Sequence, residues 1–159
     1  MKGINLDFIF SRDIPHQLFT DKKRLIQILI NLISNGIKYT HSGSVTVRAR
    51  VGYPKMQNFK FNREYPEERQ MLLHFSVIDT GVGIATSQIP KLFQLFHSVK
   101  TKNSVNRNGI GLGLTISKKL VEQLGGEISV QSQEGSGTCF NFSVLAVPRN
   151  LLRRGEPGF

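Results

Sequence analysis

Asp79 closes an apolar run, Leu72 to Ile78, and is followed at once by Thr80-Gly81-Val82-Gly83. A carboxylate at a strand end, where the chain turns through two glycines, can face a cleft instead of open solvent. There it can accept from an exocyclic amine such as that of adenine, while the glycines let a flat ring approach the backbone. Taken alone, Asp-Thr-Gly reads first as an ordinary turn after a strand.

A second group of polar residues recurs at helical spacing. Arg24, Gln27, Asn31, Asn35 and Lys38 fall within a sector of about 80° at 3.6 residues per turn. A polar stripe is ordinarily a solvated face, yet asparagine in mid-helix costs roughly a few tenths of a kcal/mol relative to lysine or glutamate. Two such amides suit the wall of a polar pocket better. Asn35 can offer its carbonyl oxygen to a Mg²⁺ ion, a hard cation that prefers oxygen, and Lys38 one turn on can neutralise phosphate. Tyr39 supplies a flat apolar face.

The third group is Asn108-Gly109-Ile110-Gly111-Leu112-Gly113-Leu114, a glycine run opening a helix. Free N–H groups and the helix dipole favour phosphate at such a junction. Spaced glycines say little by themselves. A dinucleotide fingerprint needs a strand immediately before them, and here a polar stretch precedes. A phosphate loop ending in Gly-Lys-Ser or Gly-Lys-Thr is absent from the sequence.

These residues need elements to hold them. Ile4 to Phe10 alternates roughly as a first strand, closed by the turn-rich Ser11 to Pro15. Thr20 or Asp21 is the expected N-cap of a long helix in which Leu25, Ile28, Leu29, Leu32 and Ile33 carry the apolar period. Residues 44–51 and 71–78 read as strands, and 52–70, with Pro54 and Pro66, reads as a surface insertion between them. Thr86-Ser87 with Pro90 marks a helix start leading to Leu92, Phe93, Leu95 and Phe96. The polar stretch that follows reads as a mobile loop, and a helix runs from about Gly113 to Leu124, stopped by Gly125-Gly126. Residues 127–133 and 138–147 form a hairpin around Glu134-Gly135-Ser136-Gly137. The expected class is α+β: a two-layer α/β sandwich with helices on one face of a mixed, largely antiparallel sheet. Residues 1–148 form one domain, and 149–159 read as a frayed basic tail.

At 159 residues, 39% hydrophobic and 20% charged, the chain is an ordinary soluble domain with enough length for one core. One cysteine, Cys139, excludes an internal disulfide framework. The net charge of +10 favours anionic partners: nucleoside phosphates, nucleic acid or an acidic protein face. No segment has the length and apolarity of a membrane span or a signal peptide.

Together the motifs resemble the catalytic ATP-binding domain of sensor histidine kinases, within the wider ATPase group of DNA gyrase, mismatch-repair and heat-shock chaperone proteins. Arg24 to Thr40 is similar to the family's asparagine box, Asp79 to Ile84 to its first glycine box, and Leu92 to Phe96 to its phenylalanine box. Gly109 to Leu114 is similar to the second glycine box and Gly135 to Thr138 to the last. The resemblance implies ATP and Mg²⁺ as ligands, bound between the asparagine helix and a lid at 97–112. Asp79 would bind the adenine amine, Tyr39 would pack on the ring, and Gly81, Gly83 and Ile84 would line its turn. Asn35 would ligate Mg²⁺, while Asn31 and Lys38 would act near the phosphates. Gly109, Gly111, Leu112 and Gly113 would bring lid backbone to the phosphates, and Thr138 would back the adenine pocket. Phe93 and Phe96 would pack the base of the lid.

The gyrase and chaperone branch carries a glutamate where this chain has Asn31. An amide is a poor general base, so the expected use of ATP is γ-phosphoryl transfer to a histidine, not hydrolysis. None of His16, His41, His74 and His97 lies in the helical acceptor pattern of the family. The resemblance therefore implies a separate histidine-bearing dimerisation domain, of the same or a partner kinase, and a response-regulator receiver domain downstream. Nucleic acid is not among the implied partners. The implied location is cytoplasmic, including the cytosolic part of a membrane-anchored sensor. A stand-alone ATPase and a nonenzymatic nucleotide-sensing module remain as alternatives. Gly36 stands where the family commonly has alanine, a helix cost of about 1 kcal/mol that suggests close approach by a neighbour.

Overall fold

The computed structural model of the protein describes residues 3–52, 65–94, 112–152 and 155. Six strands and two α-helices follow in the order β1 (Ile4–Phe10), β2 (Leu18–Phe19), α1 (Lys22–Tyr39), β3 (Gly43–Gly52), β4 (Met71–Asp79), α2 (Gly113–Gln123), β5 (Ile128–Gln133) and β6 (Gly137–Pro148). The sheet runs β1-β3-β4-β6-β2, with β5 also paired to β6. Only the β1–β3 pairing is parallel among these strands, because α1 carries the chain from one to the other. The class is α+β, a mixed sheet with its helices on one face.

Strand alternation builds the core. Val45, Val47 and Ala49 of β3, Leu73, Phe75 and Val77 of β4, and Phe140, Phe142 and Val144 of β6 are buried beneath the helices. Phe75 and Phe142 face one another across the register with ring centroids 4.9 Å apart. From above, α1 inserts Ile28 and Leu32 and α2 inserts Val121, all without solvent exposure. Each such side chain contributes roughly 1.5–3 kcal/mol relative to an exposed position. The outer face of the sheet is more polar: Arg48 and Arg50 are exposed on β3, and Ser76 donates to Asn141 Oδ1 at 2.6 Å.

Of the two expected caps for α1, Asp21 fills the role, its Oδ1 accepting from Arg24 N at 3.0 Å. Thr20 instead donates to the carbonyl of Leu145 and ties the helix entry to β6. The helix start expected at Thr86 is a 3₁₀ turn, Thr86–Lys91, with Pro90 inside it. Proline lacks the N–H that an α-helical turn would need there. Phe96 and most of the lid span 97–112 lie outside the described residues, as does 53–64 of the insertion.

Two stretches are more ordered than the sequence suggested. Leu18–Phe19 pairs with Val147 and Pro148 as a two-residue strand too short to show periodicity. After β6 the chain makes a 3₁₀ turn, Arg149–Leu151, and buries Leu152 with Tyr65 and Val147 in a small cluster that Phe19 borders. Residues 149–152 of the expected basic tail are thus packed against the domain, and Tyr65 brings the end of the 52–70 stretch to the same place.

Candidate functional site

The alternation that buries Phe75 and Val77 also delivers Asp79 to the helix side of the sheet. At this edge of the core, one row across the strands reads Val45, Asp79, Thr138 and Ser132. Asp79 is 7% exposed. Burial pushes its pKa above the ordinary carboxylate value, and hydrogen bonds from the backbone N–H groups of Gly81 and Thr138 pull the other way. The Gly81 bond measures 2.9 Å. Helix α1 crosses above at Gly36, where an added Cβ would sit 3.5 Å from Asp79 Cβ and 3.2 Å from both Val45 methyls. The missing side chain therefore lets the helix lie close to this row, as its helix cost suggested.

The glycine turn is tied down on three sides. Val82 N donates to Tyr39 O at the end of α1 (3.1 Å), and Thr80 N donates to Ser44 O at the start of β3 (3.1 Å). The hairpin closes the third side: Gly135 N donates to Val82 O (2.7 Å) and Ile84 N to Ser132 Oγ (2.8 Å). Ser132 donates in turn to Gly137 O (2.8 Å) and lies 3.0 Å from Thr138 Oγ1. Gly83 takes φ +67°, and an added Cβ there would overlap the Gln133 carbonyl. Asp79, Gly81, Gly83, Ile84, Thr138 and the carbonyl of Tyr39 therefore form one cluster.

The polar flank of α1 leads away from this cluster toward α2. Asn31 and Asn35 are half-buried. Lys38 Nζ lies 5.2 Å from the Tyr39 ring centroid, placing a cation over the aromatic ring beside Asp79's end of the helix. Asn31, expected near phosphate, donates from Nδ2 to Ser117 Oγ of α2 at 2.8 Å. Leu112 precedes α2, and its side chain does not cap the helix; Gly113, the first helical residue, packs against the Asn31 amide. Gly109 and Gly111 lie outside the described residues. Phe93 is half-buried against the core, and its carbonyl and that of Gln94 accept from Thr115 Oγ1, each at 3.2 Å.

Three hydroxyls here were not singled out from the sequence. Ser132 had a signal: a hairpin centred on Gly135 sets it opposite Thr138. Thr115 and Ser117 had none, because their partners lie 21 to 86 residues away.

A buried acceptor at a strand end, a glycine turn and a helix flank carrying amides and a lysine thus sit together on the helix side of an α/β sandwich. The family model described as histidine kinase-, DNA gyrase B- and HSP90-like ATPase matches residues 20–148, and the chain belongs to that family. Among curated relatives it is 37% identical over 146 residues to the aerobic respiration control sensor protein ArcB of Escherichia coli K12, covering 91% of this chain and 17% of that protein. It is 40% identical over 148 residues to the sensor protein GacS of Pseudomonas syringae pv. syringae, 93% of this chain and 15% of that one. Hybrid signal transduction histidine kinase B of Dictyostelium discoideum is 34% identical over 96% of this chain and 7% of its own length. The chain thus spans less than a fifth of each of these relatives. Among solved structures, full-length ShkA in complex with AMPPNP shares 30% identity over 92% of this chain and 26% of that one, with TM-score 0.67. Within the ATPase family, the chain is a domain of the sensor histidine kinase kind.

Proposed function

We propose that this domain binds Mg-ATP and donates the γ-phosphoryl group to a histidine on a separate dimerisation domain in two-component signal transduction. The buried Asp79 carboxylate, held beneath α1 by the glycine turn and the terminal hairpin, carries the reading. An acceptor fixed by two backbone N–H groups suits the exocyclic amine of adenine, with Thr138 and Ile84 beside it. Tyr39 flanks the ring in this reading, and Gly81 and Gly83 let the turn pack closely on the carbonyls of Tyr39 and Gln133. The proposed unit is residues 1–148, with 52–70 as an insertion, 97–112 as the lid and 149–159 following. Lid residues Gly109, Gly111, Leu112 and Gly113 approach the phosphates.

Asn35 fits Mg²⁺ by donor type, a hard amide oxygen on a half-buried residue one turn from Asn31 and Lys38 on the same flank of α1. Among the described residues no group of three or more His, Cys, Asp or Glu side chains could hold a metal by itself. One protein oxygen beside phosphate oxygens and water matches how Mg²⁺ is ordinarily bound, and the ion supplies charge neutralisation at the phosphates. Lys38 adds a second positive charge there. In the transfer, the bond from the γ-phosphorus to the bridging oxygen breaks, a bond to the histidine ring nitrogen forms, and ADP leaves with its proton balance met by solvent. Asn31 cannot abstract a proton from water, which disfavours hydrolysis. A receiver domain then takes the phosphoryl group. Among the described residues no helix is long and apolar enough to cross a membrane, and the proposed site of action is the cytoplasm.

Calorimetric titration of Mg-ATP into wild type and Asp79→Asn, followed by labelled ATP with the parent protein's dimerisation domain, tests the reading. Binding by wild type, weakened in the variant, with label appearing on the acceptor histidine, is the expected result. No binding at millimolar ATP overturns it, and rapid hydrolysis without an acceptor points to a stand-alone ATPase.

A further inference from the structure

Ser117 is 1% exposed in the interior of α2, a helix position where serine carries a propensity cost relative to alanine of roughly half a kcal/mol. Burying its hydroxyl adds a desolvation cost unless a partner is present. The partner is Asn31, whose Nδ2 donates to Ser117 Oγ at 2.8 Å across the α1–α2 contact. With its nitrogen committed to Ser117, the Asn31 amide turns its oxygen toward the first residue of α2. An added Cβ at Gly113 would overlap Asn31 Oδ1, so the two helices meet here without a spacer. The same end of α2 carries Thr115, whose hydroxyl holds the carbonyls of Phe93 and Gln94.

We propose that Ser117 is a positioning residue for phosphoryl transfer. Its hydrogen bond fixes the plane of the Asn31 amide and, with Gly113, sets the start of α2 against the asparagine flank of α1. An amide nitrogen has two hydrogens. Ser117 takes one, and locking the plane gives the second a set direction for a phosphate oxygen. Without the serine hydroxyl the amide can turn about its terminal torsion, which has broad, roughly two-fold preferences, and the second donor is no longer held in place. This inference rests on the proposed function and adds to it the group that orients Asn31.

The parent sensor kinase tests it in four forms: wild type, Ser117→Ala, Asn31→Ala and the double variant. Autophosphorylation rate, the KM for Mg-ATP and thermal midpoint are measured for each. Loss of one oriented hydrogen bond corresponds to about a fivefold to tenfold fall in kcat for Ser117→Ala. The KM should change by less than about twofold, since the adenine cluster is untouched. In the Asn31→Ala background, removing the serine hydroxyl should cost no further rate, because it then has nothing to orient. Equal losses in both backgrounds, or no loss in wild type, overturn the positioning role while the kinase reading stands. An inactive wild type that fails to bind Mg-ATP overturns both. Ser117→Cys, which keeps a weak acceptor of similar size, should recover part of the rate, and no recovery with an unchanged thermal midpoint counts against the proposal.

Discussion

Asp79, the residue proposed to bind adenine, works against the stability of its own domain. Its pKa is raised chiefly by burial, so between the ordinary carboxylate value and the folded value the native state holds a proton that the unfolded chain has released. The stabilising contribution is therefore full below the unfolded pKa and lost as pH rises through the folded one. At neutral pH the ionised group costs the fold something. Asp79→Asn should accordingly match or exceed the wild-type thermal midpoint at pH 7, while Mg-ATP affinity falls by about tenfold to a hundredfold. A variant that binds ATP normally would remove Asp79 from the site. His74 has the opposite sign: burial, and then Arg50, lower its pKa, so stability falls as pH drops from the ordinary imidazole value toward the folded one. In thermal scans between pH 5 and 7, His74→Gln should flatten that fall.

At the scale of elements, the glycine turn and the β5–β6 hairpin act as one unit, sewn by Val82, Ile84, Ser132 and Gly135. Two alanine substitutions separate contact from conformation. Gly83 and Gly135 both have positive φ, +67° and +81°, but an added Cβ meets the Gln133 carbonyl at the first and nothing within 4 Å at the second. Gly135→Ala should cost about 1 kcal/mol in denaturant titrations, the left-handed penalty alone. Gly83→Ala should cost clearly more, about 2–4 kcal/mol, and weaken ATP binding besides. Equal costs would mean that the hairpin does not grip the turn.

Across the whole molecule, three distant parts of the chain, at Gln17 to Phe19, Tyr65 and Leu152, meet at the far end of β6. Leu152 packs with Tyr65 and Val147, and Arg149 N donates to Gln17 O at 3.0 Å. Leu152→Ala should cost about 2 kcal/mol, lowering the thermal midpoint by roughly 4–8 °C in a domain of this size. ATP affinity should change little, because Asp79 pairs with β6 at Thr138, the opposite end of that strand. A frayed tail would leave the midpoint unmoved.

The sequence by itself determined most of the elements and singled out Asp79, the glycine turn and Thr138, which the fold brings together. Alternation and helical period are local consequences of backbone geometry, and they placed the start of α1, and β3, β4 and the last hairpin, within a residue or two. The parity that buries Phe75 and Val77 runs on to Asp79, so even the direction of that carboxylate was implicit. Tertiary structure decided what lies beyond about ten residues of reach. It set β1 parallel to β3, placed β4 between β3 and β6, and folded residues 149–152 onto Tyr65. It also gave Asn31 its partner in Ser117, 86 positions away. A buried serine in a helix shows no period that distinguishes it from packing. Only the docking of α2 against α1 turns that hydroxyl into the acceptor for a specific amide.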